Sequence, residues 1–377
     1  MKRIAIVIPT LDRIGGAEQQ AILLAEGLSQ RGWRVTVIAL SGTGGTAEIR
    51  LRDADIQFIP LGMRKGLADP RGWIRLNRWL LQVKPDVVHA HLPHAAWIAR
   101  WSRLGAPVRV LADTIHSTAT GTSGRKLGYN ASNWLVDRVT AVSHAAAEAW
   151  SVERMVSAEK LVVVANGVDT SVWKPDAAAR ASLRAELKLN EDFLWLAAGR
   201  LEPVKDYQTL LHAMAQLPAN TQLVIAGRGP LEAELKQRSQ SLGIEDRVRF
   251  LGFEPDLRRW MQAADGFVLS SRWEGLPMGV LEAAACGLPA VATNIPGTRE
   301  AIVDGETGLL TTATGSSTAL EGAMKRLMQM TPEDRAAMGE RARKHILERY
   351  SIEAVLDRWE ALYAEMLATN PKPKRWG

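Results

Sequence analysis

Two carboxylates in the second half of the chain are spaced to hold a ligand that is rich in hydroxyl groups. Glu274 and Glu282 lie on either side of Pro277, a residue that suits the first position of a helix. The spacing predicts that Glu274 precedes the helix and that Glu282 lies about one turn inside it. N–H groups at the helix start favour phosphate, so a nucleotide sugar, a diphosphate with hydroxyl groups at both ends, fits the pattern. The alternative is a capping carboxylate and a surface glutamate.

Two further places in the sequence could bind phosphate. Arg200 and Lys205 follow an apolar run and could hold a diphosphate together, because arginine offers a planar fork of donors and lysine a point charge. A solvated loop is the alternative. Gly15 and Gly16 also follow an apolar run, and glycines before a helix let the backbone approach a phosphate closely. A plain tight turn is the alternative there.

Histidines and a serine also fall at the ends of apolar runs. His89 and His91 alternate onto one face of a run, while His116 and Ser143 follow two other runs. A zinc site would need further cysteine or carboxylate ligands at suitable spacing, and this region has no such pattern. We therefore predict strand-end histidines, no metal site and no cofactor.

Short apolar runs that alternate with segments of helical period must position these residues. Runs that are apolar on both faces predict parallel strands, and their alternation with helices predicts doubly wound α/β domains. Such sheets bind ligands at the carboxyl ends of their strands, where most of the residues above fall. The predicted strands are Arg3–Pro9, Arg34–Leu40, Ile56–Ile59, Asp86–Ala90, Val108–Thr114, Arg138–Val142, Leu161–Ala165, Phe193–Ala198, Gln222–Ala226, Val248–Leu251, Gly266–Leu269, Ala290–Ala292 and Gly308–Leu310.

The length of 377 residues fits two domains, and turn-forming residues predict a hinge near residues 170–178. We predict a first domain over residues 1–174 and a second over residues 175–351, which face each other across one cleft. Ser351 is predicted to cap the last helix. A tail without fixed structure is predicted from Thr369 to Gly377.

Composition excludes several classes of protein. Apolar residues make up 46% and charged residues 23% of the chain, which excludes a mostly disordered or fibrous protein. The single cysteine, Cys286, excludes a disulfide framework and a multi-cysteine zinc site, and it fits a reducing cytosol. No run is long enough to span a membrane and no signal peptide is evident, so we predict a cytoplasmic protein.

The net charge of +6 is carried by the first half of the chain, because residues 1–174 hold the whole basic excess. Within that half, Arg71–Leu81 combines arginines and tryptophans over a helical length. Such a helix could rest on the inner face of a membrane, or it could cover the sheet with its apolar side. The sequence leaves both alternatives open.

In this order along the chain, the motifs resemble those of glycosyltransferase family 4 (glycosyl transferases group 1), which are retaining enzymes of the two-domain GT-B fold. The resemblance covers nearly the whole chain. It implies that the last helix and the tail, residues 352–377, cross back to the N-terminal domain. The motifs that carry it are Gly15–Glu18, His89–His91, His116, Ser143, Asn166–Asp169, Gly199–Arg200, Lys205, Gly227–Pro230, Glu274 and Glu282.

The resemblance implies roles for individual residues. Arg200 and Lys205 would bind the donor diphosphate and stabilise it as it leaves. Glu274 would bond hydroxyl groups of the donor sugar, Glu282 would bond the ribose, and His116 would orient the reacting centre. His116, Arg200, Lys205 and Glu274 are therefore the predicted catalytic residues.

Further contacts with the donor and the acceptor also follow from the resemblance. Gly16 would contact phosphate, and Arg228 would border the base, although many relatives have an acidic residue at this position. The remaining predicted donor-binding residues are Gly227, Leu276, Met278 and Gly279. The predicted candidates on the acceptor side are Gly15, His91 and Ser143.

The function that the resemblance implies is hexosyl transfer without a metal ion. The donor would be a nucleotide sugar, with UDP preferred over GDP. The acceptor would be a lipid-linked molecule or a glycan in the assembly of bacterial polysaccharide, lipopolysaccharide or glycolipid, with peripheral contact to the inner membrane as an option. A small soluble acceptor stays open.

Three other functions compete with sugar transfer. A sugar-nucleotide epimerase could have the same fold, but the Glu274 and Glu282 pair argues against it. An NAD-dependent oxidoreductase would need a third glycine after Gly227 and Gly229, and Glu232 stands at that position. A nucleic-acid-binding module would leave the polar strand ends of the second half unexplained, and no motif for it is present.

Overall fold

The structure is a computed structural model that describes residues 1–64, 69–118, 123–189, 191–370 and 372. Most of the predicted tail after Thr369 lies outside the described residues. The chain divides into two compact units. Unit 1 comprises Met1–Gly167 and Ile352–Gly377, and unit 2 comprises Val168–Ser351.

Unit 1 contains a seven-stranded sheet in the order β3-β2-β1-β4-β5-β6-β7, in which every pair of neighbours is parallel. The order reverses between β1 and β4, which is where open α/β sheets bind ligands. The strands are β1 Arg3–Ile8, β2 Arg34–Ala39, β3 Gln57–Pro60, β4 Val87–His91, β5 Val110–Ile115, β6 Arg138–Ala141 and β7 Leu161–Val163.

Helices cover both faces of this sheet. One face buries Leu28 and Tyr363 from two of the helices, and the other buries Leu76, Ile98 and Trp150 from three more. The helices are α1 Gly16–Gln30, α2 Gly45–Asp53, α3 Pro70–Val83, α4 Pro93–Ser102, α5 Ser123–Ala131, α6 His144–Val152 and α15 Ile352–Thr369.

The last helix, α15, returns to unit 1, which confirms this part of the predicted fold. The Glu360 carboxylate accepts hydrogen bonds from Arg31 Nη1 and Trp33 Nε1, each at 2.8 Å. The Tyr363 hydroxyl lies 2.7 Å from His89 Nδ1 in the core. Polar as well as apolar contacts therefore fix α15 to the sheet of unit 1.

Helix α3 is the basic, tryptophan-containing segment of the sequence. Leu76 and Leu80 are buried in the core beside the sheet, so the apolar side of α3 covers the sheet as predicted, while contact of α3 with a membrane stays a prediction. Arg71, Ile74 and Arg78 are exposed on the other side. None of the helices within the described residues is both long and apolar enough to cross a membrane.

Unit 2 contains a six-stranded parallel sheet in the order β10-β9-β8-β11-β12-β13. Its order reverses between β8 and β11. The strands are β8 Phe193–Ala198, β9 Thr221–Ala226, β10 Val248–Gly252, β11 Gly266–Leu269, β12 Ala290–Ala292 and β13 Gly308–Leu310. The helices are α7 Ala177–Glu186, α8 Tyr207–Ala215, α9 Glu232–Ser241, α10 Leu257–Ala263, α11 Met278–Ala285, α12 Pro296–Ala301, α13 Ser317–Met328 and α14 Pro332–Arg349.

The boundary between the units falls before Val168 and not after residue 174, where the sequence placed it. The Val168 N–H donates to the Tyr350 carbonyl at 2.7 Å, and Val168 forms a parallel bridge with Ser351. Arg343 Nη1 donates to the Trp173 carbonyl at 3.1 Å. These bonds attach residues 168–174 to the end of α14, so the segment belongs to unit 2.

Candidate functional site

The point where the strand order reverses in unit 2 holds a charged pair. Lys205 ends the short 3-10 turn Pro203–Lys205 after β8, and Glu274 lies in the loop after β11. Lys205 Nζ is 2.6 Å from Glu274 Oε1, and the two side chains are only 20% and 14% exposed. Ser271 Oγ donates to the same carboxylate oxygen at 2.6 Å. The pair therefore occupies the position in the sheet where a ligand is expected.

A chain of hydroxyl groups fixes the loop that carries Glu274. Thr293 Oγ1 donates to the Ser271 carbonyl, and Thr298 Oγ1 donates to the Thr293 carbonyl, each at 2.5 Å. A Cβ atom on Gly297 would lie 2.6 Å from the Glu274 carbonyl oxygen. Only glycine therefore lets α12 approach this loop so closely, and the approach holds the Glu274 backbone in place.

The loop of Lys205 is attached to the segment that joins β11 to Glu274. Ser270 Oγ donates to the Lys205 carbonyl, and the Arg272 N–H donates to the Val204 carbonyl, each at 2.8 Å. Arg272 Nε also lies 3.1 Å from the buried Asp206 carboxylate. The lysine and the glutamate are therefore held by one connected network of backbone and side-chain bonds.

Arg200, the second predicted phosphate ligand, has a different environment. Its side chain is 77% exposed, and Nη1 lies 2.8 Å from Glu202 Oε1. The structure therefore places Arg200 at the same edge of the sheet as Lys205 but in solvent. Water and salt strongly screen the attraction between the two charges of such an exposed pair.

The glycines after β8 and β9 allow two loops to cross in contact. A Cβ atom on Gly227, whose φ is +146°, would lie 1.9 Å from the Gly199 carbonyl oxygen. The Leu201 N–H donates to the Arg228 carbonyl at 3.0 Å. The packing of the two loops is thus sufficient to explain why residue 227 is a glycine. A contact between Gly227 and a donor stays a prediction. The Arg228 side chain is exposed.

Helix α11 carries the second carboxylate of the predicted pair. Pro277 is the N-cap, so the helix starts one residue later than the sequence suggested. Met278 and Gly279 form its first turn, Leu276 is 7% exposed just before it, and Glu282 follows one turn inside. Burial raises the pKa of Glu282 to about 8. Glu282 is half-buried, so a ligand that donates hydrogen bonds could reach its carboxylate and would stabilise the ionised form.

In unit 1, a glycine turn starts α1 directly after β1. The Gly15 N–H donates to Glu18 Oε2 at 3.0 Å, which closes the turn. A Cβ atom on Gly16 would meet no atom within 4 Å. Packing inside the protein therefore does not require a glycine at position 16. A phosphate that approaches the backbone closely would explain this glycine, and that contact stays a prediction.

Three histidines gather at the ends of β4 and β5. His91 Nδ1 lies 3.0 Å from His116 Nε2, and His89 Nε2 lies 2.6 Å from Thr114 Oγ1. Burial lowers the pKa of His116 to about 4 and the pKa of His89 to about 3, and it lowers that of His91 well below its ordinary value. All three rings are therefore neutral at pH 7, as strand-end histidines in the core should be.

Each histidine of the contacting pair keeps one ring nitrogen unbonded. His91 Nε2 and His116 Nδ1 are buried and have no hydrogen-bond partner among the described residues. The Ser143 hydroxyl, in contrast, accepts the Ala146 N–H at 3.0 Å and caps α6. The described residues contain no group of three or more His, Cys, Asp or Glu side chains that could hold a metal ion.

Comparisons with known families match both units. Residues 179–345 match the family described as "Glycosyl transferases group 1", and residues 14–172 match the one described as "Glycosyltransferase Family 4". The first match lies within unit 2, the second lies almost wholly within unit 1, and together they cover most of the chain. The chain belongs to glycosyltransferase family 4.

Individual relatives of this glycosyltransferase support the assignment. The N-acetyl-alpha-D-glucosaminyl L-malate synthase of Bacillus anthracis is 29% identical over 77% of both chains. The UDP-Gal:alpha-D-GlcNAc-diphosphoundecaprenol alpha-1,3-galactosyltransferase of Escherichia coli is 27% identical over 81% of both chains. The crystal structure of Anabaena Alr3699/HepE in complex with UDP matches with a TM-score of 0.83 at 23% identity, covering 97% of this chain and 100% of that one. The predicted GT-B fold is confirmed.

Within this glycosyltransferase, the structure brings some predicted residues together and leaves others apart. Lys205 contacts Glu274, and His91 contacts His116. Arg200 contacts Glu202 and not the Lys205 pair. The donor, acceptor and catalytic roles of all these residues stay predictions.

The sequence did not predict several residues that support the site residues of the glycosyltransferase. Thr293 and Thr298 support the Glu274 loop from a different strand and helix, and Tyr363 bonds His89 across the length of the chain. Hydroxyl residues are common in loops, so nothing in the sequence distinguished the two threonines. The contact between Tyr363 and His89 forms because α15 packs on unit 1. The local sequence pattern does not indicate where a helix packs.

Proposed function

We propose that this glycosyltransferase transfers a hexose from a nucleotide sugar, preferably a UDP-sugar, to a lipid-linked or glycan acceptor. The transfer retains the configuration of the sugar and needs no metal ion. Unit 2 binds the donor and unit 1 binds the acceptor. The observation that carries the proposal is the half-buried Lys205–Glu274 pair, which lies where the strand order of unit 2 reverses.

The donor site is proposed to use the charges of unit 2 in complementary ways. Lys205 neutralises the diphosphate, and the N-terminus of α11 contributes the positive end of its dipole. Glu274 accepts hydrogen bonds from the hydroxyl groups of the sugar, and Glu282 accepts them from the ribose. A fixed ammonium group and a helix N-terminus can stabilise the charge that grows on the leaving diphosphate, because neither must reorganise during the reaction.

The proposal that the transfer retains the anomeric configuration of the sugar comes from the family resemblance. The bond between the anomeric carbon and the phosphate oxygen breaks, and a bond to the acceptor oxygen forms on the same face of the sugar. The proton of the acceptor hydroxyl passes to the leaving phosphate. In this scheme Glu274 acts as a hydrogen-bond acceptor and does not form a covalent bond with the sugar, in keeping with its contacts to Lys205 and Ser271.

The proposed acceptor rests on the charge and surface of unit 1. The basic excess of the sequence lies in residues 1–174, and exposed α3 side chains Arg71, Ile74 and Arg78 offer charge and apolar surface together. This combination suits an anionic, lipid-linked acceptor at the inner membrane face. The name of the Escherichia coli relative includes such an acceptor, a diphosphoundecaprenol.

A small soluble acceptor is the second candidate. It is favoured by the Bacillus anthracis relative, whose name gives N-acetyl-alpha-D-glucosaminyl L-malate as the compound made. Both candidates share the same donor chemistry in unit 2. They differ only in the acceptor that receives the sugar.

Thermal unfolding with UDP, GDP or NAD, each in the presence of EDTA, tests the donor part of the proposal. A ligand at 100 times its dissociation constant adds about 2.7 kcal/mol to the free energy of unfolding. We expect UDP to stabilise the protein more than GDP, and NAD to have no effect. Stabilisation by NAD alone would contradict sugar transfer, and stabilisation only without EDTA would contradict the metal-free site.

A further inference from the structure

We propose that Glu274 selects the intact nucleotide sugar over the released nucleoside diphosphate, because it competes with the diphosphate for Lys205. The inference rests on the proposed function, in which Lys205 binds the donor diphosphate. It adds to Glu274 a second task besides bonding the sugar. Glu274 would weaken the binding of the product while it strengthens the binding of the donor.

The geometry of the ion pair supplies the competition. The Lys205 ammonium group bonds Glu274 Oε1 at 2.6 Å, so a phosphate that binds Lys205 must compete with this carboxylate oxygen for the same positive charge. Both side chains are at least four-fifths buried, and charges in such a place are poorly screened by water. The flexible four-carbon stem of lysine lets the ammonium group turn from one anion to the other.

Two contacts that do not involve Lys205 hold Glu274 in its place. Ser271 Oγ donates to Glu274 Oε1 at 2.6 Å, and the loop backbone is fixed against Gly297. A bound diphosphate would therefore share the Lys205 region with a second negative charge. Like charges that are forced together in a binding site repel each other and weaken binding.

The sugar of the donor removes this penalty and the free diphosphate does not. Among the bonds of the described residues, none uses Glu274 Oε2, so this oxygen can accept a sugar hydroxyl while Oε1 keeps Ser271. Hydroxyl groups that donate to a carboxylate compensate for the loss of its lysine. Once the sugar has been transferred, the carboxylate loses these donors and draws Lys205 back. The product is thus released more readily.

The other cation at this edge of the sheet lacks the burial on which the competition depends. Arg200 also has a carboxylate partner, Glu202 Oε1 at 2.8 Å, but the two side chains are 77% and 31% exposed. Water and salt screen such a pair, so a phosphate can approach Arg200 with little competition. Glu202 is therefore a matched control for Glu274.

The test compares the affinities of UDP and UDP-glucose for the full chain by titration calorimetry, with GDP and GDP-mannose as the second pair. Glu274→Gln keeps an oxygen that accepts the Ser271 hydroxyl but removes the charge. We expect it to bind UDP about tenfold more tightly and UDP-glucose more weakly than the unchanged protein, so the two affinities move in opposite directions. Glu274→Ala should move the UDP affinity in the same direction, and Glu202→Gln should change it less than about twofold.

Other results would overturn the inference, and they separate it from the proposed function. If Glu274→Gln leaves UDP binding unchanged, the glutamate only bonds the sugar. If the substitution weakens UDP binding, the glutamate only holds Lys205 in position. In both cases Lys205→Ala should still weaken UDP binding. If Lys205→Ala leaves UDP and GDP binding unchanged, the diphosphate is held elsewhere and the proposed function of the site fails as well.

Discussion

Glu282 has the carboxyl group with the clearest consequence for stability. Burial raises its pKa from the ordinary value of 4.5 to about 8 in the folded protein. Between these two pH values the unfolded chain has released a proton that the folded chain still binds. The contribution of Glu282 to the free energy of unfolding must therefore fall as the pH rises from about 4.5 to about 8 and stay at the lower level above it.

Glu282→Gln removes this titration, because the amide stays neutral at every pH. We expect the melting temperature of the variant, relative to the unchanged protein, to rise steadily from pH 5 to pH 8. Glu245→Gln, on the exposed surface of unit 2, is the control and should follow the unchanged protein. A difference between Glu282→Gln and the unchanged protein that does not vary with pH would show that Glu282 is ionised throughout.

At the scale of residues, the sequence predicted positions better than contacts. Glu274, Lys205 and His116 follow strands as expected, since the carboxyl end of a parallel strand is recognisable from its apolar run. The bond between Lys205 and Glu274 joins loops of different strands, so spacing along the chain could not reveal it. The exposure of Arg200 also depends on loop geometry, which no periodicity encodes.

Helix α14 positions the helix that carries Glu282. A Cβ atom on Gly339, in the middle of α14, would lie 1.9 Å from the carbonyl oxygen of Gly287, just after α11. Arg343 Nη1, one turn further along, donates to the Ala285 carbonyl at the end of α11. The two helices therefore approach each other backbone to backbone, and only glycine fits at position 339.

A pair of identical substitutions tests this contact. Gly339→Ala should lower the free energy of unfolding of unit 2 by about 2 kcal/mol, because overpacking against a backbone atom outweighs the better helix propensity of alanine. Gly322→Ala in α13, where a Cβ atom meets nothing within 4 Å, should raise it by about 0.5–1 kcal/mol. The measurement is urea unfolding of both variants. Equal effects of the two substitutions would show that α14 does not approach α11 so closely.

At the scale of elements, the sequence predicted the strands of both sheets closely. Each of the thirteen predicted apolar runs forms a strand, with ends that shift by no more than two residues. A run that is apolar on both faces is recognisable as a strand of a parallel sheet, because helices bury both faces of such a sheet. The order of the strands was not predictable run by run, because it is decided by crossover connections and not by composition.

At the scale of the whole molecule, the division into two units followed from length and from the repeated strand–helix order. The exact boundary did not, because residues 168–174 are held by bonds to Tyr350 and Arg343 at the far end of unit 2. The return of α15 to unit 1 came from the family resemblance and not from local pattern. The same resemblance supplies the proposed division of labour, with the donor in unit 2 and the acceptor in unit 1.

Lys205 is proposed to support the transfer of a sugar from a nucleotide sugar. The most direct measurement is the transfer of radiolabelled sugar from UDP-glucose, UDP-galactose or GDP-mannose, with EDTA present, to extracted polyprenyl-linked lipid and to soluble acceptors. We expect transfer by the unchanged protein and a loss of about 100-fold in Lys205→Ala, because an electrostatic contact to the leaving group is removed. We expect full activity in Lys325→Ala, which loses only a pair with Glu321 within α13. Full activity of folded Lys205→Ala, or transfer from none of these donors by the unchanged protein, would contradict the account.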